Sequence, residues 1–129
     1  MAFRAEKVRL KNALRPGEVI LASDLLSRIK QRPDLDRPPV LVVTDMCIYL
    51  IFSGRQREIS RIDFDALGGV GRKTTGFGRE LQLILDDGEV LTCVYHPRDR
   101  NGLTADLITE RFFGRVVKDT TTEFPTDED

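Results

Sequence analysis

The chain has 129 residues, 40% of them hydrophobic, which is enough for one domain with a buried core and too few for two ordinary ones. Its 20 Lys and Arg nearly balance its 21 Asp and Glu, giving a formal net charge of −1, so overall electrostatics favour neither nucleic acid nor a membrane as partner. No apolar run approaches the roughly 20 residues of a spanning helix, and Met1-Ala2-Phe3-Arg4-Ala5-Glu6-Lys7 lacks the hydrophobic region of a signal peptide, so a cytoplasmic chain is expected.

Charge is unevenly spread along the chain. The last seven residues, Glu123-Phe124-Pro125-Thr126-Asp127-Glu128-Asp129, hold four carboxylates and no base. The remaining 122 residues have 17 acids against 20 bases, a surplus of three positive charges.

In chain order, Phe3, Val8, Leu10 and Leu14 lie among charges and predict a short amphipathic helix over 3–14, ended by Pro16-Gly17. From there to residue 95, short apolar runs alternate with turn residues, an all-β pattern. A first strand is expected over 19–26. Pro33, Pro38 and Pro39 mark a long connection before a central strand over 40–44. Asp45-Met46 turns the chain into a strand over 48–53, and Gly54-Arg55-Gln56 turns it again into one over 57–64. A short fifth strand over 66–70 precedes a glycine-rich stretch, 71–78, read as a loop. Leu81, Leu83 and Leu85 alternate with polar residues, Asp87-Gly88 makes a hairpin, and the return strand covers 90–95. After Pro97 the period becomes helical. Leu103, Leu107, Ile108, Phe112 and Val116 form one stripe, and Thr104 is the expected N-cap of a helix over 104–117.

About seven antiparallel strands, in two packed sheets or a partly open barrel, leave edges and an open end that a C-terminal helix can cover. This mainly β order, strands first and one capping helix last, is that of the pleckstrin-homology superfold. The organisation expected is a helix over 1–15, a domain over 16–118 and an acidic, disordered tail over 119–129.

Three blocks resemble the lipid-binding tail-homology domain of class-I myosins: Arg15-Pro16-Gly17-Glu18-Val19-Ile20-Leu21-Ala22-Ser23-Asp24, Leu41-Val42-Val43-Thr44-Asp45-Met46-Cys47-Ile48-Tyr49-Leu50, and Ile62-Asp63-Phe64-Asp65-Ala66-Leu67-Gly68-Gly69-Val70. GRAM-type and bacterial pleckstrin-homology-like domains share the weaker apolar-Thr-Asp-x-x-apolar-Tyr feature. The resemblance implies a module that attaches to acidic phospholipids, phosphoinositides among them, through basic residues of the first two strands and the loop between them. Arg28 and Arg37 match two positions of the implied pattern. Pro39 stands at the third, with Lys30 and Arg32 close by as substitutes.

The lipid-binding candidates are therefore Arg28, Lys30, Arg32 and Arg37, whose guanidinium forks and ammonium suit phosphate by charge-assisted hydrogen bonds. Arg55, Arg57, Arg72 and Lys73 form a second group if the hairpins of strands three–four and five–six end together, with Arg79 beside them. Phe77, between Gly76 and Gly78, is a candidate for membrane insertion. The bland reading of each is a solvated loop, in which Asp34 and Asp36 neutralise the bases and Phe77 folds back.

Other chemistry finds little support. Gly71-Arg72-Lys73-Thr74 ends like a phosphate loop but has Arg72 where the second glycine belongs and no following helix. His96 stands alone, Cys47 and Cys93 are read as buried reduced thiols, and Asp86, Asp87 and Glu89 as a solvated turn. No catalytic residue, metal or cofactor is expected. The alternative to lipid binding is a protein-interaction or scaffolding domain using a groove between the C-terminal helix and the fifth strand. Homodimerisation through Val8, Leu10 and Leu14 of the first helix is a third possibility.

Overall fold

The computed structural model describes residues 4–55, 57–75, 78–97 and 102–119. Phe3, Phe77 and the acidic tail beyond Asp119 lie outside the described residues. The order is α1 (Arg4–Ala13), β1 (Ile20–Ile29), β2 (Val40–Thr44), β3 (Cys47–Ile51), β4 (Ile59–Asp63), a 3-10 turn (Phe64–Ala66), β5 (Leu67–Thr75), β6 (Gly78–Leu85), β7 (Val90–Tyr95) and α2 (Leu103–Asp119). Seven antiparallel strands with a helix at each end match the expected fold class.

The strands hydrogen-bond in the order β4-β3-β2-β1-β7-β6-β5. One strand joins the two halves: residues 20–25 of β1 pair with β2, and Leu26, Arg28 and Ile29 pair with β7. The first half-sheet, β1 to β4, and the second, β1 and β5 to β7, enclose a core that includes Leu26, Leu41, Ile48, Leu50, Leu81 and Leu83. Helix α2 closes this core with Ala105 and Ile108, packing on β1, β2 and β5.

Sequence pattern and burial agree strand by strand. In β6, buried Leu81 and Leu83 alternate with outward Glu80 and Gln82, as expected for a strand with one wet face. Strands β2 and β3 are buried along their whole length. Their continuous apolar sequences have a cause: α1 covers the outer face of the first half-sheet, where Leu10, 3% exposed, packs with Val40, Val42, Cys47, Tyr49 and Ile51. Leu10 and Leu14, expected as dimer contacts, thus rest on the chain's own sheet, and Val8 is the residue left 58% exposed.

Several boundaries differ from expectation, β3 among them at Cys47–Ile51 in place of 48–53. Strand β1 runs three residues past Leu26, because a register shift between Leu26 and Arg28 turns both Ser27 and Arg28 outward before Ile29 is buried again, which breaks the alternation. The glycine-rich stretch is mostly strand: β5 extends to Thr75 with Arg72 opposite Leu81 and Lys73 opposite Glu80. As an edge strand paired only with β6, β5 needs few apolar residues of its own. Strand β4 is shorter than expected at Ile59–Asp63 and gives way to the 3-10 turn.

Thr104 is not the N-cap of α2. The helix starts at Leu103 after Gly102 (φ 57°), whose carbonyl accepts the Asp106 N–H. The capping acceptor comes from β1: Asp24 Oδ2 takes the Thr104 N–H at 2.9 Å and its hydroxyl at 2.7 Å, and Tyr95 shares that hydroxyl at 2.7 Å. A carboxylate beside the first turn satisfies otherwise orphaned donors and faces the positive end of the helix.

Candidate anion-binding site

The β1–β2 connection forms a depression of about 390 Å³ whose lining includes Arg28, Lys30, Arg32 and Arg37, with Asp36 as its one carboxylate. The four basic residues singled out from the sequence therefore share one concavity. Their charges are not equally available. Arg32 clasps Asp34 through Nε and Nη2, both at 3.0 Å, reaches Glu58 at 3.5 Å, and lies 5.0 Å over the Phe52 ring. The hydrogen bonds from Arg32 hold the Asp34 carboxyl below its ordinary range. Lys30 pairs with Glu80 at 3.0 Å. Arg28 and Arg37 are exposed and make no ion pair with a described residue.

The turn between β3 and β4 is pinned against this loop. Asp36 accepts the Arg55 N–H at 3.1 Å, and a Cβ on Gly54 (φ 79°) would stand 2.4 Å from Asp36 Oδ1. Only glycine fits there, both for backbone conformation and for the approach of the carboxylate. Arg55 consequently stands beside the depression, its guanidinium 4.0 Å from Asp36, and Arg57 is exposed two residues on.

Arg72 and Lys73 stand elsewhere. Arg28, Val94, Glu80 and Lys73 form one cross-strand row over β1, β7, β6 and β5. The β5–β6 hairpin continues past this row to Thr75 and Gly78, towards the side of Leu26 and Tyr95, whereas the β1–β2 loop leaves in the opposite direction at Lys30. The two hairpins do not end together. Arg72 is bound to Asp106 of α2 at 2.8 Å, and Lys73 stands on the outer face of the second half-sheet.

Sequence reasoning gave no role to Glu18, yet it is the most heavily bonded acid described. It is 8% exposed, and its oxygens accept the Thr44 hydroxyl, the Tyr49 hydroxyl at 2.8 Å, the Cys47 thiol at 3.3 Å and the Arg15 N–H at 2.9 Å. Burial by itself would raise the Glu18 carboxyl, but these bonds outweigh it and lower its pKa to about 2. Asp45 adds a second link, giving its N–H to the Val19 carbonyl at 3.0 Å and accepting the Val19 N–H at 2.8 Å. Glu18 and Val19 of the first block and Thr44, Asp45, Cys47 and Tyr49 of the second are thus a clamp between the entry to β1 and the β2–β3 turn. Their chemistry is structural.

The remaining candidates read as the sequence suggested. Cys47 and Cys93 are buried free thiols, and burial pushes Cys93 up to about 12. Asp87 accepts the Glu89 N–H at 2.8 Å across Gly88 (φ 92°), a hairpin turn. Among the described residues no group of three or more His, Cys, Asp and Glu is arranged for a metal ion, and no helix is long and apolar enough to cross a membrane. A groove of about 600 Å³ does run along α2. Its walls are Glu110, Arg111 and Gly114 on one side, and Asp45, Met46 and the end of β4 with Phe64 and Asp65 on the other, not the fifth strand.

Two half-sheets sharing their first strand, closed by a C-terminal helix, are the arrangement of the pleckstrin-homology-like fold. Solved structures bear this out. The chain is similar to a DUF1696 family protein with a pleckstrin-homology domain from Shewanella loihica PV-4, at TM-score 0.62 and 14% identity over 84% of this chain and 94% of that one. It is also similar to a pleckstrin homology domain from Shewanella amazonensis SB2B, at TM-score 0.61 and 18% identity over 87% and 99%. No protein-family model and no curated protein matches the sequence. At these identities the likeness concerns the fold, and it carries no link to the myosin tail.

Proposed function

We propose that the chain is a non-catalytic binding module that attaches to acidic phospholipid headgroups at the β1–β2 depression. The observation that carries this reading is the convergence of Arg28, Lys30, Arg32 and Arg37 in one concavity, with Arg28 and Arg37 exposed and unpaired among the described residues. Lys30 and Arg32, fixed by Glu80 and Asp34, shape the rim; Arg28 and Arg37 supply the free charge. The myosin-like pattern supports the narrower form of the proposal, a phosphoinositide at a cytoplasmic or cytoskeleton-linked membrane, through the same two arginines. At its third position, Pro39 is buried and its carbonyl accepts the Leu26 N–H at 2.9 Å, so that position serves the fold.

Co-sedimentation with liposomes tests the proposal. The parent should bind only vesicles containing acidic lipid, and less at physiological than at low salt. At about 1 kcal/mol for each basic residue near the surface, Arg28→Ala/Arg37→Ala should lose about 2 kcal/mol, roughly 30-fold in affinity. Failure of the parent to bind acidic vesicles at low salt refutes it.

The groove along α2 favours a second reading, a protein partner. Its apolar residues, Met46 and Phe64, stand among acids and bases of both signs, with Arg111 5.2 Å over the Phe64 ring, and Val19, Ile20 and Leu21 stand exposed at the start of β1. On that reading Gly114→Leu, which places bulk in the groove, abolishes partner binding and leaves vesicle binding intact. Homodimerisation through α1 has Val8 available to it, and sedimentation of Val8→Asp against the parent decides it.

A further inference from the structure

Helix α1 reaches the β3–β4 hairpin through the side chain of Arg9. Its Nη2 donates to the Phe52 carbonyl at 2.7 Å and to the Glu58 carbonyl at 3.1 Å. These two residues close the base of the hairpin, where the Phe52 N–H meets the Glu58 carbonyl at 2.9 Å. Leu10, next in sequence, is buried among side chains of β2 and β3, so seating the helix brings the guanidinium to the hairpin base. A charged donor bonds a carbonyl more strongly than a neutral one does.

The hairpin in turn holds the β1–β2 loop. Arg32 of that loop lies 5.0 Å over the Phe52 ring and 3.5 Å from the Glu58 carboxylate. Both residues that Arg9 grips by their backbones therefore meet Arg32 with their side chains. Asp36 accepts the Arg55 N–H at 3.1 Å, hard against Gly54. Inside the loop the Arg32 carbonyl takes the Leu35 N–H at 3.4 Å. A shift of the hairpin base thus carries Arg32 and Asp36 with it, and Arg37 follows Asp36 in the chain. The route from α1 to the depression is a continuous run of bonded and packed groups.

We infer that α1 is a strap for the anion site: seated by Leu10, it uses Arg9 to fix the β3–β4 hairpin and, through the hairpin, the β1–β2 loop that presents Arg37. Arg9 is a positioning residue, its guanidinium committed to two carbonyls. The consequence for affinity rests on the headgroup reading of the depression. The strap is lightly held. Over residues 8–13 of α1 Leu10 alone is buried, and Val8 is 58% exposed. An element with so few buried apolar contacts opens at low cost, so lifting α1 is a means of loosening the site without unfolding the sheet.

Amide hydrogen exchange and co-sedimentation with phosphatidylserine vesicles test this on the full chain, Arg9→Met, Arg9→Lys and Lys11→Ala. Methionine keeps the apolar stem of Arg9 and removes its donors. Lysine returns one nitrogen, which suffices because Nη2 alone serves both carbonyls. Lys11→Ala removes an equal charge from an exposed position on α1. In Arg9→Met, exchange of the Arg55 and Leu35 N–H groups should rise about tenfold, while the Gly88 N–H of the β6–β7 hairpin keeps the parent's rate. Vesicle affinity should fall about twentyfold in Arg9→Met, against no more than about fivefold for the single surface charge lost in Lys11→Ala. Arg9→Lys should stay within about twofold of the parent in both assays.

Parent rates at Arg55 and Leu35 in Arg9→Met overturn the inference. So does an equal rise at Gly88, which reports a general loss of stability. Faster exchange at the two amides with vesicle binding no weaker than in Lys11→Ala overturns it as well, because the loop then binds as firmly without its strap. Failure of the headgroup reading looks different: a parent that binds no acidic vesicle, with exchange still faster at Arg55 and Leu35 in Arg9→Met, keeps the strap and removes the headgroup.

Discussion

Replacing Glu18 with glutamine removes a buried charge whose hydrogen bonds hold the entry to β1 against the β2–β3 turn. Its pKa falls from an ordinary 4.5 to about 2 in the folded protein. At about 1.4 kcal/mol for each pH unit, the ionised carboxylate contributes about 3 kcal/mol to stability at neutral pH. Because the folded pKa is depressed, that contribution is complete above about pH 4.5 and disappears as pH falls towards 2. Urea unfolding of parent and Glu18→Gln at a series of pH values measures it. All other carboxylates are common to the two proteins and cancel in the difference. The gap in unfolding free energy should be about 3 kcal/mol at pH 7 and should shrink steadily below pH 4.5. A gap that stays constant down to pH 3 refutes the reasoning, because it would mean that glutamine costs packing and that ionisation of Glu18 adds nothing.

Asp24→Ala takes the acceptor from both the Thr104 N–H and its hydroxyl, and should lower stability by about 1–3 kcal/mol, read by thermal unfolding. A loss under about 0.5 kcal/mol would show that water replaces the carboxylate. Leu10→Ala opens the packing between α1 and the first half-sheet and should cost about 2–3 kcal/mol in urea unfolding, the low end for a buried leucine because α1 can resettle; no change would mean that α1 does not hold that face. Glu80→Gln releases the Lys30 ammonium and should strengthen binding to acidic vesicles about fivefold, opposite in sign to Lys30→Ala. Weakened binding by Glu80→Gln would show that Lys30 acts only when Glu80 positions it.

Much of this architecture was legible in the sequence because its signals are local. The alternation of Leu81, Leu83 and Leu85, the Asp87-Gly88 turn and the stripe through Leu107, Ile108 and Phe112 each report on a few neighbouring residues. What was illegible depends on partners far along the chain. Gly71 to Thr75 look like a loop until β6 is known to lie alongside, and a register shift at Ser27 hides the last turns of β1 from any period-two reading. The basic cluster was visible as a cluster. Its division into free and neutralised charges was not, since Lys30 meets Glu80 fifty residues away and Arg72 meets Asp106 on α2. Glu18 was passed over for a related reason: beside Pro16-Gly17 it looks like a turn residue, and its role appears only when Thr44 and Tyr49 are brought to it.

The sharing of β1 between the two half-sheets also bears on how the domain forms during synthesis. Strands β1 to β4 are sequence neighbours and can pair as they emerge, by closing short loops. The contact of Leu26 with Tyr95 closes a loop of nearly seventy residues, so the C-terminal end of β1 waits for β7 while the rest of its strand is already paired. Until then a growing chain presents an unfilled seam along Leu26 to Ile29. Its last-made strand is the one that ends this exposure, and α2 can seat on the finished seam only afterwards.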